Sequence, residues 1–321
     1  MKITRVGMAV AIVALACANA MAQPVKPARM LVGFPPGGTV DILARVFSER
    51  LAEAMGSPMI VETRPGATGQ IAAELVKTAA PDGYTLMLCP DSTLVVRPLT
   101  LKVSPYDPVK DFTAIAHTGH APQAFAVGPG VPAKDMREFA AWAKANLDRV
   151  SVALPGLGGS GHFFTLMIGQ DLGLNLQIVP YKGSGQTLAD LVGGHVLAAV
   201  NPLGTMAAQN RAGKIRILGV SGAQRSAIAP DALTFVEQGF ARLNMNTWFA
   251  IFGPAGMPGE LVNRMNGIVL QASRTPAIRE RMRSLDYEIR ELGPAALAEL
   301  VKQDYERWKP VVKASGFTAE D

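Results

Sequence analysis

A unit of short strand, glycine-rich turn and helix recurs along the chain and most restricts its fold. Residues 30–34 predict a strand, residues 35–39 (Pro-Pro-Gly-Gly-Thr) a turn, and residues 40–55 a helix with Thr39 as N-cap and Gly56 as C-cap. Strands that alternate with helices form sheets covered by helices on both faces. The pattern therefore predicts an α/β protein with largely parallel sheets.

The remaining elements follow the same alternation. The absence of a flexible linker leaves two arrangements open, one large sheet or two lobes joined by ordered strands. Residues 244–254, which contain Trp248 and Phe249, are a candidate crossing strand, although a buried core strand would look the same. Further strands are predicted at 59–62, 84–89, 124–127, 150–154, 177–179, 196–200, 215–220 and 247–252, and further helices at 71–79, from about 163 to 171, and from Pro258, Pro276 and Pro294.

The N-terminus has the pattern of a secretory signal peptide. Lys2 and Arg5 precede an apolar run at residues 6–18 that is too short to span a bilayer, and small residues lead to a cleavage site after Ala22. Lipidation at Cys17 is the competing interpretation, but alanine stands where a lipobox has leucine. We expect a periplasmic chain with no further segment that crosses the membrane.

Composition disfavours several classes of function. Loss of Lys2 and Arg5 would lower the formal net charge from +5 to +3, and the charges form no basic blocks, so nucleic-acid binding is not expected. Cys89 would be a lone buried thiol, which leaves no internal disulfide. No spacing typical of a zinc site occurs, and His117 and His120 are predicted to be loop or surface residues. No metal and no cofactor are predicted.

The first glycine turn, at residues 35–39, is a candidate anion site. It places free backbone N–H groups at the start of a helix, where the helix dipole is positive and attracts a carboxylate or phosphate. The alternative is a plain turn in which glycine serves geometry alone. Asp41 would repel an anion unless water lies between them or its side chain points aside.

A second glycine loop at residues 156–162 contains G-x-G-x-x-G after a strand and before a helix. A dinucleotide fingerprint also needs an acidic residue at the end of the next strand, and that strand ends instead at Pro180, Tyr181 and Lys182. We therefore predict a second anion-binding helix start, with Ser160 and His162 as donors. The two glycine loops could face each other across a cleft.

Nucleophilic catalysis is disfavoured. Residues 219–223 nearly match the G-x-S-x-G elbow around Ser221, but Ala223 replaces the last glycine and no histidine follows His195. Ser160 and His162 lack an identifiable third group. No catalytic residue is predicted, and a periplasmic hydrolase that uses Ser160 or Ser221 stays a minor alternative.

Seven segments, in order and spacing along the whole mature chain, resemble the Bug (Bordetella uptake gene) family. This family comprises the extracytoplasmic solute receptors of tripartite tricarboxylate transporters. The segments are 32–45 (VGFPPGGTVDILAR), 61–67 (VETRPGA), 80–86 (APDGYTL), 106–112 (YDPVKDF), 179–184 (VPYKGS), 212–216 (AGKIR) and 248–258 (WF…GPAGMP).

The resemblance implies a type II periplasmic-binding-protein fold, in which two α/β lobes are joined by crossing strands with a ligand cleft between them. The implied organisation is a signal peptide at 1–22, lobe 1 at 23–124 and 246–321, and lobe 2 at 125–245. It also implies that the two glycine loops grip a ligand carboxylate and that Asp41 orders water bridging to the ligand.

Departures from the family pattern bear on the ligand. Residues 158–161 replace a loop rich in serine and threonine, and Asn201 and Leu197 stand where many relatives carry acids. The candidate ligands are aromatic, di- and tricarboxylates. A site with fewer polar donors favours a ligand with an apolar body, such as an aromatic acid. The predicted ligand-binding residues are Phe34, Gly37, Gly38, Thr39, Asp41, Asp91, Gly158, Gly159, Ser160, His162, Tyr181 and Asn201.

The predicted function is that of a monomeric solute-binding protein. It would capture a small carboxylate by hinge closure and deliver it to integral-membrane transporter subunits. A ligand sensor for a membrane kinase could share the same residues and is the alternative.

Overall fold

The computed structural model describes residues 26–146 and 150–319, so the predicted signal peptide and Cys17 lie outside the described residues. Within the described residues the strands form two five-stranded sheets. Sheet 1 has the order β2-β1-β3-β10-β4, in which only β10 is antiparallel to its neighbours. Its strands are β1 (Ala28–Val32), β2 (Met59–Thr63), β3 (Thr85–Pro90), β4 (Phe112–Ala121) and β10 (Thr247–Pro254).

Sheet 2 repeats this plan with the order β7-β6-β8-β5-β9, and here β5 is the antiparallel strand. The prediction of largely parallel sheets is therefore confirmed, with one reversed strand in each. The strands are β5 (Gln123–Val127), β6 (Ser151–Pro155), β7 (Gln177–Tyr181), β8 (Ala198–Pro202) and β9 (Arg216–Val220).

The chain passes between the sheets twice. β4 continues through Pro122 directly into β5, and residues 244–246 lead back into β10. Sequence left open one sheet or two, and the structure has two. The lobe boundaries at 124/125 and 245/246 stay a prediction.

Helices cover both faces of each sheet. A 3₁₀ turn (Ala67–Gly69) precedes the second helix, and a π turn (Ser92–Val96) with one helical turn (Arg97–Leu99) follows β3. The helices are α1 (Thr39–Met55), α2 (Gln70–Lys77), α3 (Met136–Lys144), α4 (Ser160–Leu172), α5 (Ser184–Val192), α6 (Leu203–Arg211), α7 (Gly259–Ser273), α8 (Pro276–Ser284) and α9 (Pro294–Ser315). No helix of the described ranges is both long and apolar enough to cross a membrane.

Successive side chains of β1 point to opposite faces of sheet 1 and pack into two separate apolar clusters. Met30 and Val32 belong to one apolar cluster with residues of α1 and α7, whereas Leu31 joins the opposite cluster with residues of α2 and α9. The C-terminal helices therefore complete the first lobe. Each such side chain that is buried contributes about 1.5–3 kcal/mol to stability.

Sheet 2 is buried in the same way. Phe125 and Val152 pack with residues of α3 and α4, while Ala124 and Ala153 pack with residues of α5 and α6. The small residues on that second face let α5 lie close to β8.

The helices predicted to begin at residue 71 and at about residue 163 begin at Gln70 and Ser160, and two predicted cap assignments are wrong by one residue. The N-cap of α1 is Gly38, with extended backbone (φ −84°, ψ 172°), and Thr39 is the first helical residue. Pro258 is the N-cap of α7, which begins at Gly259. Gly56 is confirmed as the C-cap of α1 in the left-handed conformation, with φ 65°.

His117 and His120 are also corrected, because both lie buried in β4, a strand that the sequence did not reveal. His117 Nδ1 is 3.1 Å from the Arg290 carbonyl oxygen, and burial lowers the pKa of His117 to about 4. His120 Nε2 is 3.0 Å from the Glu288 carboxylate. The segment from Glu288 to Arg290 pairs with β4 and supplies partners for both rings, which accounts for their burial.

Candidate functional site

A cavity of about 350 Å³ lies between the two sheets. It sits where β3, β6 and β8 end, since Pro90, Pro155 and Pro202 are the last residues of these strands and line it. The carboxyl edge of a parallel sheet is the usual ligand position in α/β folds. The lining residues carry no charge; they are Phe34, Pro35, Pro36, Gly38, Thr39, Val40, Pro90, Ser92, Gln123, Pro155, Ser160, Gly161, Gly183, Ser184, Gly185, Gln186, Ala189, Pro202, Thr247 and Phe249.

The start of α1 faces this cavity. Its N-cap Gly38 and its first residue Thr39 line the wall, and no side chain caps the helix. The first N–H groups of a helix have no partner within it. These donors, together with the positive end of the helix dipole, are available to an anion.

Two further helices, α4 and α5, begin at the same cavity. Their N-caps are Gly159 and Gly183, again without a side-chain cap, and the residues after each N-cap line the wall. A Cβ atom added to Gly38 would lie 3.1 Å from Ser184 Oγ, so the starts of α1 and α5 almost touch across the cleft. Three helix dipoles therefore point their positive ends into one uncharged cavity.

The floor of the cavity is made where the chain crosses between the lobes. Gln123 Nε2 donates to Thr247 Oγ1, which ties the start of β5 to the start of β10. The Gln123 backbone N–H donates to Ser221 Oγ (2.8 Å), which in turn donates to Asn246 Oδ1 (2.8 Å). Ser221 therefore fastens the crossing segments to each other. Phe34 and Phe249 supply apolar walls.

The lobes touch each other around the cavity, so the cleft is closed in this structure. Thr68 Oγ1 donates to the Leu157 carbonyl oxygen (2.6 Å), and Ser160 Oγ donates to Asp91 Oδ1 (3.1 Å). Thr68 has φ 57° and its neighbour Ala67 has φ 45°, a left-handed conformation that is strained for residues other than glycine. Such strain persists where surrounding contacts enforce it, often at a site of function.

Four predicted site residues, Phe34, Gly38, Thr39 and Ser160, line the cavity. Gly37 and Asp41 lie behind the wall. The Gly37 N–H donates to Asp41 Oδ2 (3.0 Å), and Arg45 forms an ion pair with the same carboxylate (2.9 Å). Arg45 thus compensates the negative charge of Asp41, which the sequence predicted to lie beside a bound anion. Asp41 does not line the cavity.

Three predicted residues of the second loop lie outside the wall and support it. His162 Nδ1 accepts the Gly158 N–H (3.3 Å), and its ring packs edge-on against Phe317. Burial lowers the pKa of His162 to about 4, so the ring is neutral at pH 7. A Cβ atom on Gly159 would lie 2.9 Å from Ser92 Cβ, so only glycine permits this approach of the lobes.

The cavity wall also lacks three other predicted site residues, Asp91, Tyr181 and Asn201. Asp91 is buried beneath Ser160, as described above. The Tyr181 hydroxyl donates to Asp190 Oδ2 (2.5 Å), a bond that raises the pKa of Tyr181 to about 12, and its ring faces a separate surface pocket. Asn201 is buried and donates from Nδ2 to the Ser184 carbonyl oxygen (3.2 Å), which steadies the start of α5.

Sequence reasoning missed the polar lining residues Ser92, Gln123, Ser184, Gln186 and Thr247. Ser184 carried a usable signal, because Gly183-Ser184 follows β7 and begins a helix just as the two recognised loops do. Gln123 and Thr247 carried none, since they meet only through the pairing of the two crossing segments.

Two α/β lobes that close on an uncharged cavity, with helix starts directed into it, define the class of periplasmic binding proteins. The description "Tripartite tricarboxylate transporter family receptor" belongs to the family model that matches residues 43–317. The chain belongs to this family, which consists of solute-binding receptors and includes the Bug proteins.

The relatives agree with this assignment. A UPF0065 protein of Bordetella bronchiseptica is 38% identical over 266 residues, which cover 82% of this chain and 78% of the relative. The periplasmic binding protein BugD has a similar structure, with a TM-score of 0.87 at 29% identity and coverage of 93% and 100% of the two chains.

Two similar structures contain ligands. MatC from Rhodopseudomonas palustris with bound malate gives a TM-score of 0.85 at 30% identity, covering 90% of this chain and 100% of MatC. A second R. palustris protein, with adipate, gives 0.86 at 28% identity, covering 92% of this chain and 99% of that one. Both compounds are small aliphatic dicarboxylates.

Proposed function

We propose that this chain is a periplasmic receptor that captures a small dicarboxylate between its lobes and delivers it to the membrane subunits of a tripartite tricarboxylate-type transporter. The observation that carries the proposal is the closed, uncharged cavity into which α1, α4 and α5 all begin. Helix starts bind carboxylates without a cation. Three of them in one cavity provide donors for two carboxylates.

The size and walls of the cavity narrow the ligand further. About 350 Å³ is near the lower limit of small-molecule sites, which favours a compact acid. Apolar walls from Phe34, Phe249 and the prolines suit a short carbon chain, and Gln123 offers one amide near the floor. We therefore favour an aliphatic dicarboxylate with an uncharged body over the aromatic acid that the sequence alone suggested.

Capture without turnover follows from the state of the candidate nucleophiles. Ser160 Oγ donates to buried Asp91, and Ser221 Oγ is held between Gln123 and Asn246. His162 Nδ1 is occupied by the Gly158 N–H. Within the part of the chain that the structure describes, neither serine is hydrogen-bonded to a histidine. We therefore propose that the chain is a binding protein and not an enzyme. We also propose that it acts as a monomer, with lobe boundaries at 124/125 and 245/246.

A thermal-shift screen of the chain from Gln23 tests this function. The test acids are malate, adipate, citrate and benzoate, each in large excess. A ligand at 100 times its Kd stabilises the native state by about 2.7 kcal/mol, which is a readily measured rise in Tm. We expect malate or adipate to give the largest rise. The proposal fails if no carboxylate shifts Tm, and turnover of a bound acid would replace it with an enzymatic function.

A further inference from the structure

Asp91 and Ser160 meet across the cleft close to the cavity. Asp91 follows β3 in the first lobe, whereas Ser160 begins α4 in the second, and the two are joined by the 3.1 Å hydrogen bond. The Asp91 carboxylate also accepts the Ser92 N–H (2.7 Å), and the residue is only 1% exposed. The second lobe therefore supplies the second hydrogen bond of this carboxylate, and Gly159 of the same lobe lies against the adjacent Ser92.

The charged and titratable groups around Asp91 compensate its charge only in part, because Arg307 lowers the pKa of Asp91 by less than burial and Asp304 raise it. Asp304 on α9 faces it and is a second carboxylate, and Arg307 on the same helix is 3.0 Å from Asp304. Asp304 also accepts the Trp248 indole N–H (2.6 Å). Cys89, two residues before Asp91 on β3, is buried and neutral. No described cation contacts Asp91 within hydrogen-bonding or ion-pairing distance.

We propose that closure of the cleft takes up a proton at Asp91, so that ligand affinity rises as the pH falls. This inference rests on the proposed function, because ligand binding is the event that closes the lobes. Burial beside a second carboxylate favours the neutral form of Asp91, and this effect outweighs the two donated hydrogen bonds, which favour the charged form. An open cleft hydrates Asp91, and hydration favours the charged form by more than the loss of the Ser160 hydrogen bond disfavours it.

The sign and the size of the effect follow by linkage. Burial, with a smaller contribution from Asp304, raises the pKa of Asp91 to about 7 in the closed protein. A hydrated aspartate has a pKa of about 4. Between about pH 4 and pH 7 the closed state thus binds more protons than the open state. Closure therefore becomes less favourable as the pH rises through 7. From pH 8 to pH 6 the ligand affinity should increase about tenfold.

Titration calorimetry at pH 6, 7 and 8 tests the inference, with adipate and malate as probes. Their carboxyl groups stay largely ionised over this range. Asp91→Asn keeps an acceptor for Ser92 and Ser160 and mimics the protonated group. We expect it to bind with the same affinity at all three pH values, at the level that the natural protein reaches at low pH.

Asp190→Asn is the matched control, because it makes the same change at a second-lobe carboxylate whose partners are Tyr181 and His195 and not Ser160. It should keep the tenfold pH dependence. Calorimetry of the natural protein in buffers of different ionisation enthalpy adds a test without any variant. About half a proton should be taken up per bound ligand at pH 7.

The outcomes separate the two proposals. Binding with no pH dependence, no proton uptake, or loss of binding by Asp91→Asn at every pH would each overturn the proton-coupled closure and leave the receptor function intact. If neither probe binds at any pH, the dicarboxylate receptor function fails and the inference fails with it.

Discussion

Two of the cavities between the lobes differ in charge. The ligand cavity described above has no charged lining residue. A larger one, about 800 Å³, lies beside Pro122, Asn244 and Asn246, where the chain crosses between the sheets. We call it the hinge-side cavity. Its charged or titratable lining residues are His120, Arg225, Arg279, Arg283, Asp286, Tyr287, Glu288, Arg290 and Glu291.

Most charged side chains that line the hinge-side cavity form ion pairs with each other or with neighbouring residues. Arg225 pairs with Glu237 (2.8 Å), Arg283 with Glu280 (2.9 Å), and Glu291 with Arg274. The ligand cavity instead keeps backbone donors that have no partner within their helices. The proposed anion site therefore depends on unpaired helix-start dipoles and not on arginine side chains.

Gly38→Val should have the largest effect on the ligand cavity. The backbone at Gly38 accepts a side chain, but the new group would press on Ser184 Oγ, 3.1 Å from its Cβ, and cover the N–H groups of α1. We expect adipate affinity to fall about 100-fold. Calorimetry measures the affinity, and an unchanged circular dichroism spectrum shows that the variant is folded. Retained affinity would remove the start of α1 from the site.

Gly204→Ala tests closure from the hinge side. A Cβ atom there would lie 2.1 Å from the Leu285 carbonyl oxygen, which belongs to the other lobe, so α6 and the segment after α8 must separate. We expect about 30-fold weaker binding and a larger radius of gyration in X-ray scattering with saturating ligand. Gly267→Ala, on α7 with open space around its Cβ, is the control. Equal affinity of the two variants would contradict this steric limit.

Thr68→Val removes one hydrogen bond between the lobes and keeps the shape of the side chain. The lost bond is that from Thr68 Oγ1 to the Leu157 carbonyl oxygen. A hydrogen bond contributes about 1 kcal/mol, so ligand dissociation should accelerate about fivefold in stopped-flow measurements. Thr78→Val deletes a hydroxyl that bonds only to the carbonyl groups of α2 and should leave the rate unchanged. Equal dissociation rates of the two variants would show that the Thr68 bond does not hold the lobes together.

Arg283→Ala should have the smallest effect, although it removes a cation from the larger cavity. Its ion pair with Glu280 is largely exposed, and such pairs contribute little. We expect adipate affinity to change by less than about twofold. A tenfold loss would mean that the hinge-side cavity takes part in anion binding, and the distinction between the two cavities would not hold.

The sequence was informative wherever a short pattern decides local structure. The turn at residues 35–39 and the loop at 156–162 begin helices as predicted, because glycine and the adjoining strand restrict the backbone there. Gly38 and Ser160 consequently line the cavity. The two-lobed fold came from the family resemblance and not from periodicity, which could not separate one sheet from two.

Tertiary packing decided what the sequence could not supply. Tyr181 is turned aside by its bond to Asp190, and Asp41 by Arg45. β4 escaped prediction because its small and polar residues lack the apolar alternation of a half-buried strand. Gln123 and Thr247 are 124 positions apart, and no local pattern links them.

The position of β10 also constrains the order in which the protein can assemble. β10 lies between β3 and β4, so the first sheet cannot be completed until residue 254 is available, although its first strand ends at Val32. The strands of the second sheet all lie within residues 123–220 and have no such requirement. Until β10 inserts, β3 and β4 each present an open edge, and open edges invite pairing with other chains. The second lobe can therefore fold before the first lobe receives β10, the strand that joins β3 to β4.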